Sequence, residues 1–64
     1  MNEFKISLAA ARVNAGLTQN DVAKIIKKAT QTVVNWENGR TQIDSANLAM
    51  LCSIYNISPD NIKV

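Results

Sequence analysis

Only three residues, Lys27-Lys28-Ala29, separate two stretches that both carry the apolar spacing of an amphipathic helix. In the first, Val22, Ala23 and Ile26 recur at i, i+1 and i+4; in the second, Ala29, Val33 and Trp36 follow at steps of four and three. So short a link between two such helices forces them to cross steeply. The rest of the chain must fit around that pair. At 64 residues it forms one domain, residues 1–64, and a domain this small buries only about 60% of the surface its unfolded chain exposes. One small core of short helices fits, with hardly any room for a deep substrate pocket as well.

The punctuation is helical throughout. Ser7 can cap a helix over residues 8–15, which Gly16 ends in the left-handed region that other residues enter at a cost. Thr18 opens the next, over residues 19–26: its hydroxyl can accept the Asp21 amide, and the Asp21 carboxylate suits the positive end of the helix dipole. A third helix is expected over residues 30–37, with Ala29, Val33 and Trp36 inward and Asn38-Gly39 as its end. A fourth spans residues 45–55 behind Asp44 or Ser45, with Leu48, Leu51, Cys52 and Tyr55 on its buried stripe and Asn56 closing it. Ser58-Pro59-Asp60 places a cap, a first-turn proline and an early acid before a last short turn ending near Ile62. The expected fold class is all-α, with five short helices.

Histidine is absent and there is one cysteine, so Ser-His-Asp and Cys-His catalysis and the usual zinc sites are excluded. The acids are dispersed, with no pair placed for acid-base work, and the chain is expected not to be an enzyme and to need no cofactor. A lone thiol and an N-terminus, MNEFKIS, without an apolar run point to a reducing cytoplasm. No window approaches the roughly 20 apolar residues of a membrane span. Net charge is +2, compatible with nucleic acid but not decisive. Lys24, Lys27, Lys28 and Arg40 gather in the middle third, opposed by Asp21 and Glu37, an arrangement that a merely solvated face would also show.

The outer side of the third helix is more informative. Thr30, Gln31, Val34 and Asn35 lie at i, i+1, i+4 and i+5 and therefore share one strip, opposite the apolar anchors. With the steep crossing this is a helix-turn-helix arrangement, which can offer a helix edge to the roughly 12 Å wide major groove of B-DNA. Gln and Asn can pair in bidentate fashion with adenine, Thr can donate or accept, and Val can touch a thymine methyl. Trp36 is expected in the core rather than as a stacking platform, and Cys52 likewise.

The segments AARVNAGLTQ (10–19), Val22-Ala23, VVNWENGRT (33–41) and LAMLCSIYNIS (48–58), at their fixed spacing, resemble the Cro and phage-repressor type helix-turn-helix regulators, the XRE family. The resemblance covers nearly the whole chain and implies a lambda-repressor-like domain, bacterial or phage-encoded, that binds double-stranded DNA. It implies that Gln19 holds a phosphate at the start of the second helix, that Asn38 and Arg40 contact the backbone after the third, and that Thr30, Gln31 and Asn35 read bases, with Thr32 and Val34 as additions. Thr41 lies in the same matching segment as Arg40 and joins the phosphate set, to which Lys24, Lys27 and Lys28 add charge. Arg12 and Glu37 match a pair that in the family forms a partly buried salt bridge.

The chain departs from the family in the turn, which there prefers glycine, an apolar residue and a serine or threonine cap. Lys27 in the left-handed region would cost about 1 kcal/mol relative to glycine. Thr30 either caps the helix, leaving Gln31 as first reader, or reads bases itself; the sequence leaves both open. Met50, Ile54, Ile62 and Val64 form a second apolar set that either covers the edge of the core or pairs two copies on a two-fold operator, with recognition helices about 34 Å apart. The function expected is sequence-specific repression of transcription, with no small-molecule ligand. The alternative is a protein-interaction module on the same fold, such as an antitoxin or an anti-repressor partner.

Overall fold

The computed structural model describes residues 4–63; Val64, a candidate dimer contact, lies outside them. A two-residue strand β1 (Ile6–Ser7) leads into α1 (Leu8–Asn14), α2 (Gln19–Ile26), α3 (Thr30–Asn38) and α4 (Ser45–Tyr55). A single 3-10 turn (Pro59–Asn61) and a second short strand β2 (Ile62–Lys63) follow. The described residues thus hold four α-helices rather than five. The proline that starts the last turn and Ser58, whose hydroxyl accepts the Asp60 amide, begin a helix correctly, but after three residues the chain is drawn out straight. Its Ile62 pairs in parallel register with Ile6, and Lys63 with Ser7. Asn61 Nδ2 also donates to the Phe4 carbonyl at 2.6 Å, closing the two ends of the described chain on each other.

Three helices begin with a side-chain cap. Ser7 accepts the Ala10 amide, Asp44 accepts that of Asn47, and Thr18 and Asp21 form a reciprocal capping box. The Thr18 amide and hydroxyl hold the Asp21 carboxyl below its usual range. Helix α3 has no such cap. Its N-cap is Ala29, which is exposed rather than inward, and Thr30 sits inside the helix, so Thr30 is not the cap. The Thr30 hydroxyl instead donates to Asn20 Oδ1 on α2 at 3.1 Å.

All four helices end alike. A residue at positive φ (Gly16, Lys27, Gly39 or Asn56) turns the chain, and the next amide reaches back to the carbonyl five residues earlier. Glycine and asparagine tolerate that conformation. Lys27, at φ 59° and ψ 45°, does so at a cost, yet its turn is complete: Lys28 N–H meets the Ala23 carbonyl at 2.9 Å.

The core is small and made by the four helices and β2, with Ile6 of β1 packed against it. Leu8 and Ala11 of α1, Val22, Ala23 and Ile26 of α2, Val33 of α3, Leu51, Cys52 and Tyr55 of α4, and Ile62 of β2 are all buried. Trp36, Leu48 and Ile54 pack at its edge, half-buried. Ile62 is therefore a core residue, 6% exposed, and not a surface for a second copy. Burial pushes the Cys52 thiol up from its ordinary 9.0 and the Tyr55 phenol from 10.0 to about 12, the latter with help from the Glu37 charge.

Replacing Lys27 by glycine relieves the backbone and raises stability by up to about 1 kcal/mol, part of which glycine's greater freedom in the unfolded chain takes back; an unchanged or lower thermal midpoint would show the turn to be relaxed already. Because Cys52 and Tyr55 are neutral in the fold with raised pKa values, the stability this provides is complete below pH 9 and is lost as pH rises from there to about 12. Urea midpoints across that range should fall, and Tyr55→Phe should flatten the part of the fall above pH 10.

Candidate nucleic-acid interface

Helix α3 is fixed from both of its neighbours. At its last turn the Glu37 carboxylate accepts Arg12 Nε at 2.7 Å and Nη2 at 3.3 Å from α1, and Gln19 Nε2 at 2.9 Å from α2. Arg12 Nη1 donates to the Leu17 carbonyl, 2.9 Å away, in the loop between those helices. The two side chains are only 14% and 6% exposed. The hydrogen bond to Glu37, above all, holds the Arg12 guanidinium above its ordinary pKa, against the opposing effect of burial. At the other end of α3 the bond from Thr30 to Asn20 fastens its first turn to the first turn of α2.

Between those fastenings Val33 enters the core while Gln31 is exposed and Thr30, Thr32, Val34 and Asn35 are half-exposed. Gln31 Nε2 donates to Asn35 Oδ1 at 3.0 Å, one helical turn apart. No charged side chain stands among these five. Lys24, Lys27 and Lys28 lie on α2 and its turn, and Arg40 lies just past the end of α3, all exposed, as are Asn38 and Thr41. The Arg40 and Thr41 amides both close on the Asn35 carbonyl, which fixes the chain direction after the helix. The result is an uncharged polar edge on a helix fastened at both ends, with exposed cations on the segments just before and after it.

Residues 8–62 match the family profile described as helix-turn-helix. The chain belongs to the XRE-type helix-turn-helix family. No curated protein and no solved structure matches it. An XRE-type helix-turn-helix domain binds DNA and regulates transcription, and here α2 and α3 supply the motif, with Lys27–Ala29 as its turn.

The expected site residues fall into four groups. Thr30, Gln31, Val34 and Asn35 share one side of α3 with Thr32 beyond its margin, and Arg12 and Glu37 meet as an ion pair. Gln19 is half-buried and gives one amide hydrogen to Glu37, which leaves its other hydrogen for an anion. Of the apolar set, Met50 is 45% exposed, Ile54 packs against the core and Ile62 is inside it. Asn20 was not foreseen. It lies ten residues from Thr30 and no local pattern couples the two, whereas the Gln31 and Asn35 amides, at i and i+4, are placed to meet by helix spacing alone.

The ion pair yields a prediction about the scaffold. Glu37→Ala strands a largely buried guanidinium and removes the partner of Gln19, and should cost about 3 kcal/mol, whereas a joint Arg12→Met, Glu37→Leu variant should recover most of it. Urea unfolding gives both numbers; a loss below about 1 kcal/mol would place the pair among exposed ones.

Proposed function

We propose that this protein is a sequence-specific repressor: it lays the outer edge of α3 in the major groove of an operator and thereby blocks polymerase or a competing regulator. The observation that carries this reading is the uncharged edge of Thr30, Gln31, Val34 and Asn35, held clear of the core by contacts at both ends of its helix. Amides and hydroxyls there suit base edges, and a thymine methyl suits Val34. Phosphate contacts belong to Gln19, Lys24, Lys27, Lys28, Asn38, Arg40 and Thr41, which flank the edge and set position, while Gln31 and Asn35 set sequence choice. Residues 1–64 act as one DNA-binding domain in this reading. Two copies on a two-fold operator are its simplest form, and Met50 is the large apolar side chain of α4 left exposed to join them.

The two classes of contact fail differently when removed. Gln31→Ala should cost about 1 to 3 kcal/mol on the preferred site and little on random DNA, while Arg40→Ala should weaken every duplex and reduce the salt slope by about one. Competition binding over a salt series measures both. Equal losses on random DNA for Gln31→Ala would remove base reading from this residue, and binding that neither survives unlabelled random DNA nor weakens with salt would favour a protein-interaction module instead.

A further inference from the structure

Asn14, Asn38 and Asn56 have side chains with no hydrogen bond among the described residues, whereas Asn20, Asn35, Asn47 and Asn61 are each bonded through their carboxamides. The residues that follow the unbonded three differ. Ala15 and Ile57 carry a Cβ beside the amide nitrogen that would have to approach the asparagine side chain, and Gly39 does not. Asn38 is also exposed and is the last residue of α3. No backbone amide among the described residues donates to its carbonyl. The Gly39 amide is shared between the Asn35 and Trp36 carbonyls, the latter at 3.3 Å, which is long for such a bond. A Cβ placed on Gly39 would meet nothing within 4 Å, so the space around this peptide is open.

From these features we propose that Asn38 is a site of spontaneous deamidation, and that the reaction turns a phosphate contact into a repulsive one, so that DNA binding declines as the molecule ages. The second half rests on the DNA-binding function above. The Gly39 nitrogen attacks Cγ of Asn38: an N–Cγ bond forms, the Cγ–Nδ2 bond breaks, and Nδ2 leaves as ammonia with the proton of the Gly39 amide. Water then opens the cyclic imide at either carbonyl, leaving aspartate or isoaspartate. One water is consumed for each ammonia released, and nothing is oxidised or reduced. The attack requires Asn38 to rotate out of its helical backbone angle, which breaks the bonds of the Gly39 amide. At the end residue of a helix, where fraying is nearly free, this is a local event. Glu37, one residue earlier, keeps Arg12 and Gln19, so α3 stays seated while its last residue opens. Either product sets a carboxylate at the negative end of the helix dipole, among the residues that face phosphate in this reading. Isoaspartate also routes the main chain through Cβ, adding a methylene ahead of Gly39 and displacing Arg40.

The test ages the purified protein in mildly alkaline buffer, which favours loss of the Gly39 amide proton, and follows the exchange of amide for acid at every asparagine by peptide mass spectrometry. Conversion should be confined at first to Asn38, as both aspartate and isoaspartate. Asn38→Gln, whose longer side chain closes its ring far more slowly, should stay unconverted. No conversion at Asn38, or conversion at Asn14 or Asn56 just as fast, would overturn the site. The converted fraction, separated by its lower net charge, should bind a selected duplex and random DNA each roughly fivefold or more weakly than fresh protein. Fresh Asn38→Asp should show the same loss, while Asn38→Gln aged in parallel keeps the affinity it had when fresh. Unchanged binding in the converted fraction would overturn the consequence for DNA. Fresh protein that binds no duplex at all would overturn that consequence together with the function beneath it, and the two failures are told apart because the masses are read without DNA.

Discussion

The carboxylate of Glu37 is the point on which three helices depend. It lies in the last turn of α3, where the helix dipole is negative and an acid is disfavoured. It stays there because Arg12 and Gln19, from α1 and α2, bring three donors to its two oxygens. Being only 6% exposed, the charge cannot turn to water when those partners leave. Every alternative placement of α3 that breaks the cluster therefore carries a desolvation penalty. The polar edge of α3 owes its fixed attitude to a group on the same helix that faces the other way.

Rigidity at the two ends of α3 has different chemical origins. The C-terminal end is held by ionised groups that are nearly buried, and the N-terminal end by a neutral hydroxyl-to-amide bond at the surface between Thr30 and Asn20. Where the other helices have side-chain caps, α3 begins at Ala29 without one, and the turn before it bends at a lysine where glycine would be relaxed. The local sequence around this turn is thus weaker in folding terms than elsewhere, and tertiary contacts make up the difference. Such a concession is common where a surface serves binding rather than stability.

Much of the helical framework was legible in the sequence because helix ends are governed by neighbours in the chain. Thr18 and Asp21, Ser7, Gly16, Gly39 and Asn56 act within five residues, and each marks a boundary of the structure to within one position. The apolar spacing passes through Ala29 and so implies an inward residue, although the chain there is still extended and Ala29 is exposed. The last turn was read as a helix for a related reason: its opening residues are right, but a partner 56 residues away, Ile6, draws the chain straight at Ile62. Two-residue strands carry no periodicity to detect. In the interface, composition and spacing brought out which residues share the outer edge of α3. The bonds from Gln19 to Glu37 and from Thr30 to Asn20 cross between helices, and their direction depends on geometry that no local pattern encodes.

The pairing of β1 with β2 also bears on how the molecule comes into being. Ile6, at the head of the first helix, finds its neighbour 56 residues further along the chain, so the core stays open at Ile62 until that segment has been made. A growing chain can wind its early helices as they emerge, but closure of the long loop between the two strands waits for residues 62 and 63. A message cut short before residue 62 would release a polypeptide with that place in the core empty, and quality control by cellular proteases would meet it as unfinished.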